Sequence, residues 1–395
     1  MRFLNQIFAV TRLNVMNLPR RIATSIVAIV GVMAVVLVFA AVLSMAKGFE
    51  RTMVAAGSDD VAIVLRSGAT SELTSGLSQE QTLIIAGMPG VVNDGDRPIA
   101  SAELFVVVDV KKRSTGKDAN VPFRGVQAGA FDVREGLEIV AGRMFETGRN
   151  EMIVGRAAQQ EFENLDVGST VRLGRVDWQV VGAFDAGGTV SESEIWTDVR
   201  VLQDAYRRGT SFQSVRVRLE NPDNFDAFAD ALAEDPRIDV DAFSERQFYA
   251  DQSENLSQFI RVLGYPITFL MAIGAVFGAL NSMYSSVSAR GTEIATLRAL
   301  GFGPFAVLVS TIVESTLLAL IGGLVGGALA FVVFNGFRVS TLNGNSFSQV
   351  VFDFAVTGDL LVQGITVALV IGLIGGFLPA VRAARLPVAQ ALREL

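Results

Sequence analysis

The chain has 395 residues, of which half are hydrophobic and only 18% are charged, and its mean hydropathy is +0.43. Because a soluble domain of ordinary composition carries about 25% charged residues, this composition favours a membrane protein over a chain of soluble domains. The sequence contains neither Cys nor His, which excludes disulfides, thiolate nucleophiles, His-dependent catalysis and the usual zinc sites.

The beginning of the chain predicts a short helix followed by a membrane span. Residues 1–21 place apolar side chains at nearly helical spacing beside Arg residues and no acid, a pattern typical of a helix in the inner membrane interface. Residues 22–46 carry no charge and are long enough for transmembrane helix 1, since about 20 apolar residues cross a bilayer. The alternative is a cleaved signal peptide, but its apolar region is typically only about 7–15 residues long.

Residues 47–258 predict a large extracytoplasmic α+β domain between the first two spans. They hold 35 acidic and 22 basic residues, a net charge of −13, and are far too polar for lipid. A strand–helix–strand pattern near the start is matched by another near the end, which predicts a split ferredoxin-like lobe. An insertion at about 131–210 predicts a small β-rich lobe. Helical sequence continues into the domain from both flanking spans, so we expect two rigid stalks.

Side-chain patterns within this domain lead to three further expectations. Ser78 and Gln81 stand at capping-box spacing at the start of a predicted helix. Trp178, Phe184 and Trp196 lie in strand patterns and are expected to pack in the core. The densest acidic pairs have no His partner and no calcium-loop spacing, so we interpret them as solvated surface. These pairs are Asp59 with Asp60, Glu192 with Glu194, and Asp239 with Asp241.

The rest of the chain predicts three more membrane helices. Residues 259–289, 302–337 and 360–381 are the apolar windows for transmembrane helices 2, 3 and 4. An external loop is expected at 338–359 and a cytoplasmic tail at 382–395. The distribution of Arg, including Arg20, Arg21 and Arg393 near the two termini, places both termini in the cytoplasm and the large domain outside.

Glycine residues spaced by four recur within the predicted spans. This spacing lets helix backbones approach closely in lipid, so we interpret it as helix packing. It is not nucleotide chemistry, because no Lys is followed by Ser or Thr and a Walker loop is therefore excluded. The packing glycines are Gly274, Gly278, Gly322, Gly323, Gly326, Gly327, Gly372 and Gly376.

Glu314 is the single charge in residues 302–337. At a rise of about 1.5 Å per residue it lies roughly 15 Å into the span, where an ionised carboxylate is costly. We therefore expect it to pair, to form hydrogen bonds or to be protonated, with Ser310, Ser315 and Tyr284 as available partners. A structural hydrogen-bonding role, a gating or proton-linked role, and extension to the inner interface all stay open.

The segment between spans two and three, residues 290–301, predicts a short amphipathic helix at the cytoplasmic surface. Thr292 is its candidate cap, and the apolar residues Ile294, Leu297 and Leu300 share one predicted face. Such a helix either moves the two spans that hold it or is an inert interfacial turn. The candidate coupling residues are Arg290, Glu293, Ile294, Leu297, Arg298, Leu300 and Gly301.

Several segments resemble the permease domain of the MacB/FtsX-like ABC transporter family. The signature Glu293-Ile-Ala-Thr-Leu-Arg-Ala-Leu-Gly301 is highly specific, and the resemblance covers nearly the whole chain. The supporting segments are Asn281-Ser-Met-Tyr284, Val287-Ser-Ala-Arg290, Glu314-Ser315, Gly322-Gly323, Pro379-Ala-Val-Arg-Ala-Ala-Arg385 and Ala391-Leu-Arg393. Within residues 47–258, the segments Arg124-Gly-Val126, Ala141-Gly-Arg143, Asn150-Glu-Met-Ile-Val-Gly155 and Val180-Val-Gly182 resemble the MacB periplasmic core domain.

The resemblance implies a multi-pass permease of the bacterial inner membrane, with no catalytic, cofactor or metal site of its own. Some family members carry a fused ATPase and this chain does not, so two copies of a separate ABC ATPase are implied as partners. A second copy of the permease and membrane lipid are further expected partners, a periplasmic adaptor and an outer-membrane channel are candidate partners, and no nucleic acid is expected. Residues 290–301 would be the coupling helix.

The expected activity is mechanotransmission. ATP-driven closure of the ATPases would move the coupling helices, and the stalks would carry this motion to the external domain. The cycle would export or extract an amphiphile such as a peptide, lipid or drug. One alternative is a signalling module that controls an extracytoplasmic partner such as a cell-wall hydrolase, although members with this role tend to have smaller external domains. The other alternative is a membrane enzyme with an external catalytic domain, but the sequence shows no recognisable arrangement of a nucleophile or an acid–base pair.

Overall fold

The computed structural model describes residues 2–17, 22–134 and 136–388. Two compact units are present in it. The helical unit comprises Met1–Lys47, Phe259–Phe337 and Phe354–Leu395, and the sheet unit comprises Gly48–Gln258 and Arg338–Asp353. The basic residues Arg20, Arg21 and Arg393 and the tail segment 391–393, which entered the sequence-based expectations, lie outside the described residues.

Four of the described helices are long and apolar enough to cross a membrane. The predicted spans 22–46, 259–289 and 360–381 each lie within one of these helices, and the third helix lies within the predicted span 302–337. The α-helices are α1 (Arg2–Asn17), α2 (Ile22–Val54), α3 (Gln79–Ala86), α4 (Ala130–Val133), α5 (Arg156–Glu161), α6 (Val199–Ala205), α7 (Phe225–Glu234), α8 (Glu245–Ala289), α9 (Gly291–Ala299), α10 (Pro304–Phe334) and α11 (Gly358–Ala384). The candidate spans are α2, α8, α10 and α11.

Two of these helices are much longer than a bilayer requires. Helix α2 has 33 residues and α8 has 45, which correspond to about 50 Å and 68 Å at 1.5 Å per residue. The hydrocarbon core of a bilayer is only about 30 Å thick. Helix α2 continues beyond the predicted span, which ends at residue 46, as far as Val54. Helix α8 begins at Glu245, 14 residues before the predicted apolar span 259–289.

Ten of the described strands form one large sheet, while β2 pairs with β3 and β13 pairs with β14 in two separate two-stranded sheets. The order of the large sheet is β12-β1-β11-β4-β5-β10-β7-β9-β6, and β8 pairs with β9. The strands are β1 (Val61–Arg66), β2 (Asn93–Asp94), β3 (Arg97–Pro98), β4 (Ala100–Lys111), β5 (Asp118–Val126), β6 (Glu138–Gly142), β7 (Glu151–Gly155), β8 (Thr170–Leu173), β9 (Val176–Asp185), β10 (Ile195–Asp198), β11 (Ser214–Arg218), β12 (Val240–Ser244), β13 (Arg338–Asn343) and β14 (Ser348–Asp353).

Strand β4 joins the two halves of this sheet. Its first residues, from Ala100 to Glu103, pair antiparallel with β11, while the residues from Leu104 onward pair antiparallel with β5. A strand of 12 residues is long enough to serve two partners in succession. The two halves of the sheet are therefore continuous through β4, and the strands of region 131–210 all lie on the β5 side.

Local sequence signals in the sheet unit produce the expected structures. The capping box is confirmed, because Ser78 Oγ accepts from Gln81 N at 3.2 Å and Gln81 Oε1 accepts from Ser78 N at 2.9 Å. The expected core aromatic residues Trp178, Phe184 and Trp196 are fully buried. Trp178 packs edge-to-face on Phe123 with ring centroids 4.9 Å apart, a favourable aromatic geometry.

The segment expected as a plain external loop contains a β-hairpin of the sheet unit. Strands β13 and β14 pair antiparallel over six residues each. The hairpin is bonded to the rest of the unit, since Val351 N donates to Ser193 Oγ at 2.9 Å and Asn120 Nδ2 donates to the Phe347 carbonyl at 2.8 Å. Val351 is buried in the main core cluster. The loop prediction for 338–359 is corrected accordingly.

Six of the eight predicted packing glycines lie at close helix contacts. A Cβ atom on Gly322 would lie 2.7 Å from the Ile29 carbonyl oxygen of α2, and one on Gly372 would lie 2.5 Å from Cβ of Ala319 in α10. Both distances are too short for a side chain. The equivalent close neighbours are Met33 for Gly326, Ala368 for Gly323, Leu361 for Gly327 and Ser315 for Gly376. Gly274 and Gly278 have no heavy atom of the described chain within 4 Å of such a Cβ, so their expected packing contact is not seen there.

Candidate coupling site

Helix α9 occupies the segment predicted as the coupling helix. It begins at Gly291, directly after Arg290, and ends at Ala299. Gly301 follows with φ +94°, a left-handed conformation that favours glycine. Thr292 lies inside the helix, where its carbonyl accepts from Thr296 Oγ1 at 2.9 Å. The capping role predicted for Thr292 is therefore wrong, because the cap position is held by Arg290.

The apolar side chains of α9 do not share one buried face. Ile294 is buried in a small apolar cluster that includes Val307 of α10 and Ala383 of α11. Leu297 is half-buried, whereas Leu300, just beyond the helix, is 73% exposed. Ile294 thus anchors α9 within the helical unit, and the expected grouping of Ile294 with Leu300 is corrected.

The end of α9 is bonded to the end of α11. Arg298 Nη1 donates to the carbonyl oxygens of Ala384 at 2.8 Å and Leu386 at 3.2 Å. The last carbonyls of a helix lack intrahelical donors and carry partial negative charge. A guanidinium at this position therefore satisfies them and offsets the helix dipole. Glu293 lies on the exposed side of α9.

Glu314 forms an ion pair with Arg290. Its Oε2 atom accepts from Arg290 Nη2 at 2.5 Å, and the two residues are 3% and 2% exposed. Arg290 Nη1 also donates to Asn14 Oδ1 of α1 at 3.1 Å. Charge-assisted bonds of this kind are about twice as strong as neutral ones, and the pair provides the counter-charge that a carboxylate in this position requires.

The partners that the sequence suggested for Glu314 make other contacts. Ser310 Oγ accepts a hydrogen bond from Asn14 Nδ2, and Ser315 Oγ donates to the Gly372 carbonyl at 2.7 Å. The Tyr284 ring lies 5.6 Å from the guanidinium carbon of Arg382. Arg290, the first residue of the predicted segment 290–301, was placed among the coupling residues but was not recognised as the counter-ion of Glu314.

A second charged cluster is buried in the sheet unit, and the sequence analysis missed it. We call it the buried ionic network. Every side chain in it is less than a tenth exposed, and the seven members come from seven different elements or their borders. They are Glu72, Glu103, Arg124, Arg134, Glu194, Arg216 and Glu245.

Arg124 of β5 is the centre of the network. It binds Glu72 through Nη1 at 2.7 Å and Nη2 at 3.0 Å, and it binds Glu194 through Nε at 2.7 Å and Nη2 at 2.8 Å. Both contacts are bidentate, the geometry that suits the planar guanidinium. Arg124 Nη1 also donates to Glu103 at 3.0 Å. Glu194, and Glu192 beside it, are therefore buried, and their interpretation as solvated surface is wrong.

Arg216 of β11 connects the network to the first residue of α8. Its Nε atom donates to Glu245 Oε1 at 2.9 Å, and its Nη1 atom donates to Glu103 Oε2 at 2.6 Å. Arg134 completes the set with a bidentate contact to Glu103 at 2.7 and 2.8 Å. The start of the 45-residue helix is thereby fixed to the sheet by a buried charge pair.

The network keeps the carboxylates of Glu72 and Glu103 ionised, because it lowers the pKa of each. Burial by itself would raise the pKa of Glu103, but Arg134, Arg216 and Arg124 together lower that pKa to about 2. Burial would also raise the pKa of Glu72, but Arg124 and Arg216 outweigh this effect and hold that pKa well below its usual value. The guanidinium of Arg124 has a raised pKa for the reciprocal reason, despite its burial. These groups therefore stay charged across the physiological pH range.

The network could have been suspected from strand alternation. Arg124 stands between Phe123 and Gly125 in an apolar strand, and Arg216 stands between Val215 and Val217. Residues of a strand alternate between its two faces, but pairing across separate strands is not visible in the sequence. Among the described residues, no group of three or more His, Cys, Asp or Glu side chains is arranged to hold a metal ion.

Two family models match the chain. The MacB-like periplasmic core domain matches residues 22–235, and the FtsX-like permease C-terminal domain matches residues 266–388. The first match alone covers more than half of the chain and includes the sheet strands that carry the buried ionic network. The second covers α9, α10 and α11. The chain belongs to the family of MacB/FtsX-like ABC transporter permeases, and it is a membrane protein with an extracytoplasmic domain.

Individual relatives are distant. The macrolide export ATP-binding/permease protein MacB of Vibrio parahaemolyticus is 24% identical over 84% of this chain and 54% of its own length. The MacB protein of Agrobacterium fabrum is 25% identical over 79% of this chain and 49% of its own length. The chain thus spans about half the length of the MacB relatives. The ABC transporter permease YknZ of Bacillus subtilis is 25% identical over 72% of each chain.

Solved structures of extracytoplasmic regions are also similar. The periplasmic region of MacB from Actinobacillus actinomycetemcomitans is 12% identical, with a TM-score of 0.36, and the match covers 52% of this chain and 94% of that one. The extracellular domain of the transporter YknZ from Gram-positive bacteria is 17% identical, with a TM-score of 0.35, covering 46% of this chain and 99% of that one.

Proposed function

We propose that this chain is the permease subunit of an ABC transporter and that an ATPase subunit acts on it through α9. The observation that carries the proposal is the attachment of α9. This short helix is bonded to α10 beside its start, through Arg290 and Glu314, and to α11 at its end, through Arg298. An exposed Leu300 stands at its tip. A partner that displaces α9 would displace the helices bonded to it.

The long helix α8 supports a mechanical output. It continues without interruption from Glu245, in the sheet unit, to Ala289, two residues before α9. Its first residue is held by Arg216 in the buried ionic network, and breaking a buried charge pair is costly. A movement of α9 would therefore reach the sheet unit along a single helix. We infer mechanotransmission on this basis, with α2 as the second stalk.

Several features agree with substrate handling outside the membrane. The close glycine contacts of α10 with α2 and α11 leave no room for side chains between these backbones. Glu314, the one acidic residue of α10, is paired with Arg290 and therefore does not line a polar pathway for substrate through the membrane. The MacB relatives are named for macrolide export. We accordingly propose export or extraction of an amphiphilic peptide, lipid or drug.

The proposed assembly follows the sequence-based expectations. Both termini would be cytoplasmic, the sheet unit would be extracytoplasmic in a bacterial inner membrane, and two permeases would bind two ATPase subunits. An adaptor and an outer-membrane channel are further candidate partners. The order β12-β1-β11-β4, with α3 and α7 in the connections, supports the interpretation of this half as a split ferredoxin-like unit.

Co-purification from the native host tests the proposal. A tagged full-length chain should bring down an ABC ATPase, and ATP hydrolysis by the complex should rise when an amphiphilic substrate is added. The matched variant Leu300→Ser should bring down less ATPase at equal membrane expression. Recovery of a cell-wall hydrolase together with the ATPase would favour the regulatory alternative, and absence of any ATPase would contradict both functions.

A further inference from the structure

Three helices meet at a single buried guanidinium in the helical unit. We call this group the Arg290 cluster, comprising Asn14, Arg290, Ser310 and Glu314. Arg290 donates to Asn14 Oδ1 of α1 at 3.1 Å and to Glu314 Oε2 of α10 at 2.5 Å. Asn14 Nδ2 donates in turn to Ser310 Oγ, one helical turn before Glu314. Three polar contacts therefore join α1, α10 and the residue that precedes α9.

The Arg290 guanidinium binds its partners only in particular directions. The guanidinium is planar and rigid, so its two Nη atoms bind partners on two helices only in a fixed orientation. Burial strengthens each bond and makes an unpaired charge costly. Replacing a buried ion pair by apolar side chains of similar volume is often neutral or stabilising, so stability alone does not account for the pair. A buried ion pair at this position is therefore suited to setting the relative position of helices.

We propose that the Arg290 cluster is the positioning device that makes the start of α9 move together with α10 and α1. Arg290 and Asn14 act through the helices that they hold and do not touch a substrate. The inference rests on the proposed function for the source of the motion, an ATPase at α9. The coupling between the three helices is a property of this chain and is measurable without any ATPase.

Spin-label distances test the coupling of the helices directly. The chain has no native Cys, so labels at Met16→Cys on α1 and Leu300→Cys beyond α9 are the only ones, and both positions are well exposed. In the otherwise unchanged full-length chain in lipid nanodiscs, we expect one narrow distance distribution. The additional change Glu314→Gln should broaden it. The control Asp359→Asn, the same chemical change at an exposed helix start, should leave it narrow.

A second variant distinguishes loss of helix positioning from misfolding. The double substitution Arg290→Met with Glu314→Leu removes both charges together, so no unpaired charge is left and the chain is expected to fold. Its thermal unfolding should match that of the labelled parent, while its distance distribution should be broad. A narrow distribution in this folded variant, or in Glu314→Gln, would overturn the proposal, because the helices would then be positioned without the cluster.

The functional consequence is tested in the complex with the co-purified ABC ATPase. Compared at equal amounts of bound ATPase, the double variant should show about tenfold less substrate-dependent stimulation of ATP hydrolysis than the parent chain, within the usual range for coupling between sites. Unchanged stimulation would contradict the cluster as a coupling device. If no ATPase co-purifies with the parent chain but the label distances change as expected, the proposed function fails while the positioning role of Arg290 stands.

Discussion

Arg216 Nη1 donates to Glu103 Oε2 at 2.6 Å, and neither side chain is exposed to solvent. The two residues lie on the adjacent antiparallel strands β11 and β4. Glu103 also receives hydrogen bonds from Arg124 and Arg134. One carboxylate thus neutralises parts of three guanidinium groups within the sheet unit, and Arg216 carries the connection onward to Glu245 at the start of α8. The stability of this unit should therefore depend strongly on Glu103.

Replacing Glu103 by Gln should destabilise the sheet unit. The change leaves three buried guanidinium groups short of negative charge, and breaking a buried ion pair typically costs about 3–5 kcal/mol. Urea unfolding of the full-length chain in detergent, followed by Trp fluorescence, reports this unit because both Trp residues of the protein lie in it. Asp132→Asn, in an exposed pair with Arg97, should cost less than about 1 kcal/mol. Equal effects of the two variants would contradict the role of the network.

The stability of the sheet unit should fall in acid over a defined range. The pKa of Glu103 is lowered from 4.5 to about 2 in the folded protein. A lowered folded-state pKa contributes stability that is complete above the unfolded value and is lost as the pH falls toward the folded value. We expect a loss of roughly 3 kcal/mol between about pH 4.5 and pH 2 from this group. Acid titration of Trp fluorescence measures it, and Glu103→Gln should show a shallower dependence.

Substitution of a packing glycine should disturb the helical unit. A Cβ on Gly322 would meet the Ile29 carbonyl oxygen at 2.7 Å, so Gly322→Ala must separate α10 from α2, at a cost of about 1–3 kcal/mol. Gly358→Ala, at the start of α11, meets no atom within 4 Å and should be neutral. Thermal unfolding of the two purified variants in the same detergent compares them. A stable Gly322→Ala variant would show that the close approach is dispensable.

Substitutions at Ile294 and Leu300 should have separate effects, the first on thermal stability and the second on ATPase binding. Ile294→Ser places a hydroxyl in the buried cluster of α9 and should lower thermal stability. Leu300→Ser alters a 73% exposed side chain and should leave thermal stability unchanged while weakening ATPase binding about tenfold, the effect of losing roughly 1.4 kcal/mol at an interface. Binding is measured by titrating the ATPase against nanodisc-embedded permease. Wild-type affinity in Leu300→Ser would exclude this side chain from the interface.

Features with a short-range cause could be predicted from the sequence. The Ser78–Gln81 capping box and the burial of Trp178 follow from spacing and strand alternation over a few residues, and the structure confirms both. The cap of α9 was predicted wrongly at Thr292, because the helix begins at Gly291 and Arg290, which is paired with Glu314 of α10, holds the cap position. Local propensity does not include such a distant contact.

Buried charged residues show most clearly what could not be predicted from the sequence. Glu194 was interpreted as solvated because its pair with Glu192 has no His partner and no calcium-loop spacing. Its partner Arg124 lies 70 positions earlier in the chain, so the pairing exists only after β5 and β10 have come together. The hairpin of β13 and β14 was missed for a related reason, since its membership of the sheet unit depends on contacts with residues such as Ser193.

The sequence by itself determined the class of the molecule: the four apolar stretches, the acidic domain between the first two, and the short segment 290–301 between the second and third. These follow from hydrophobicity and charge summed over neighbouring residues, which folding does not alter. Only the tertiary structure decided which charges are paired in the interior, with Arg290 bound to Glu314 and Arg216 bound to Glu103. Such pairs form between segments distant in sequence, and the cost of burying each charge is met only when its partner is brought within bonding distance.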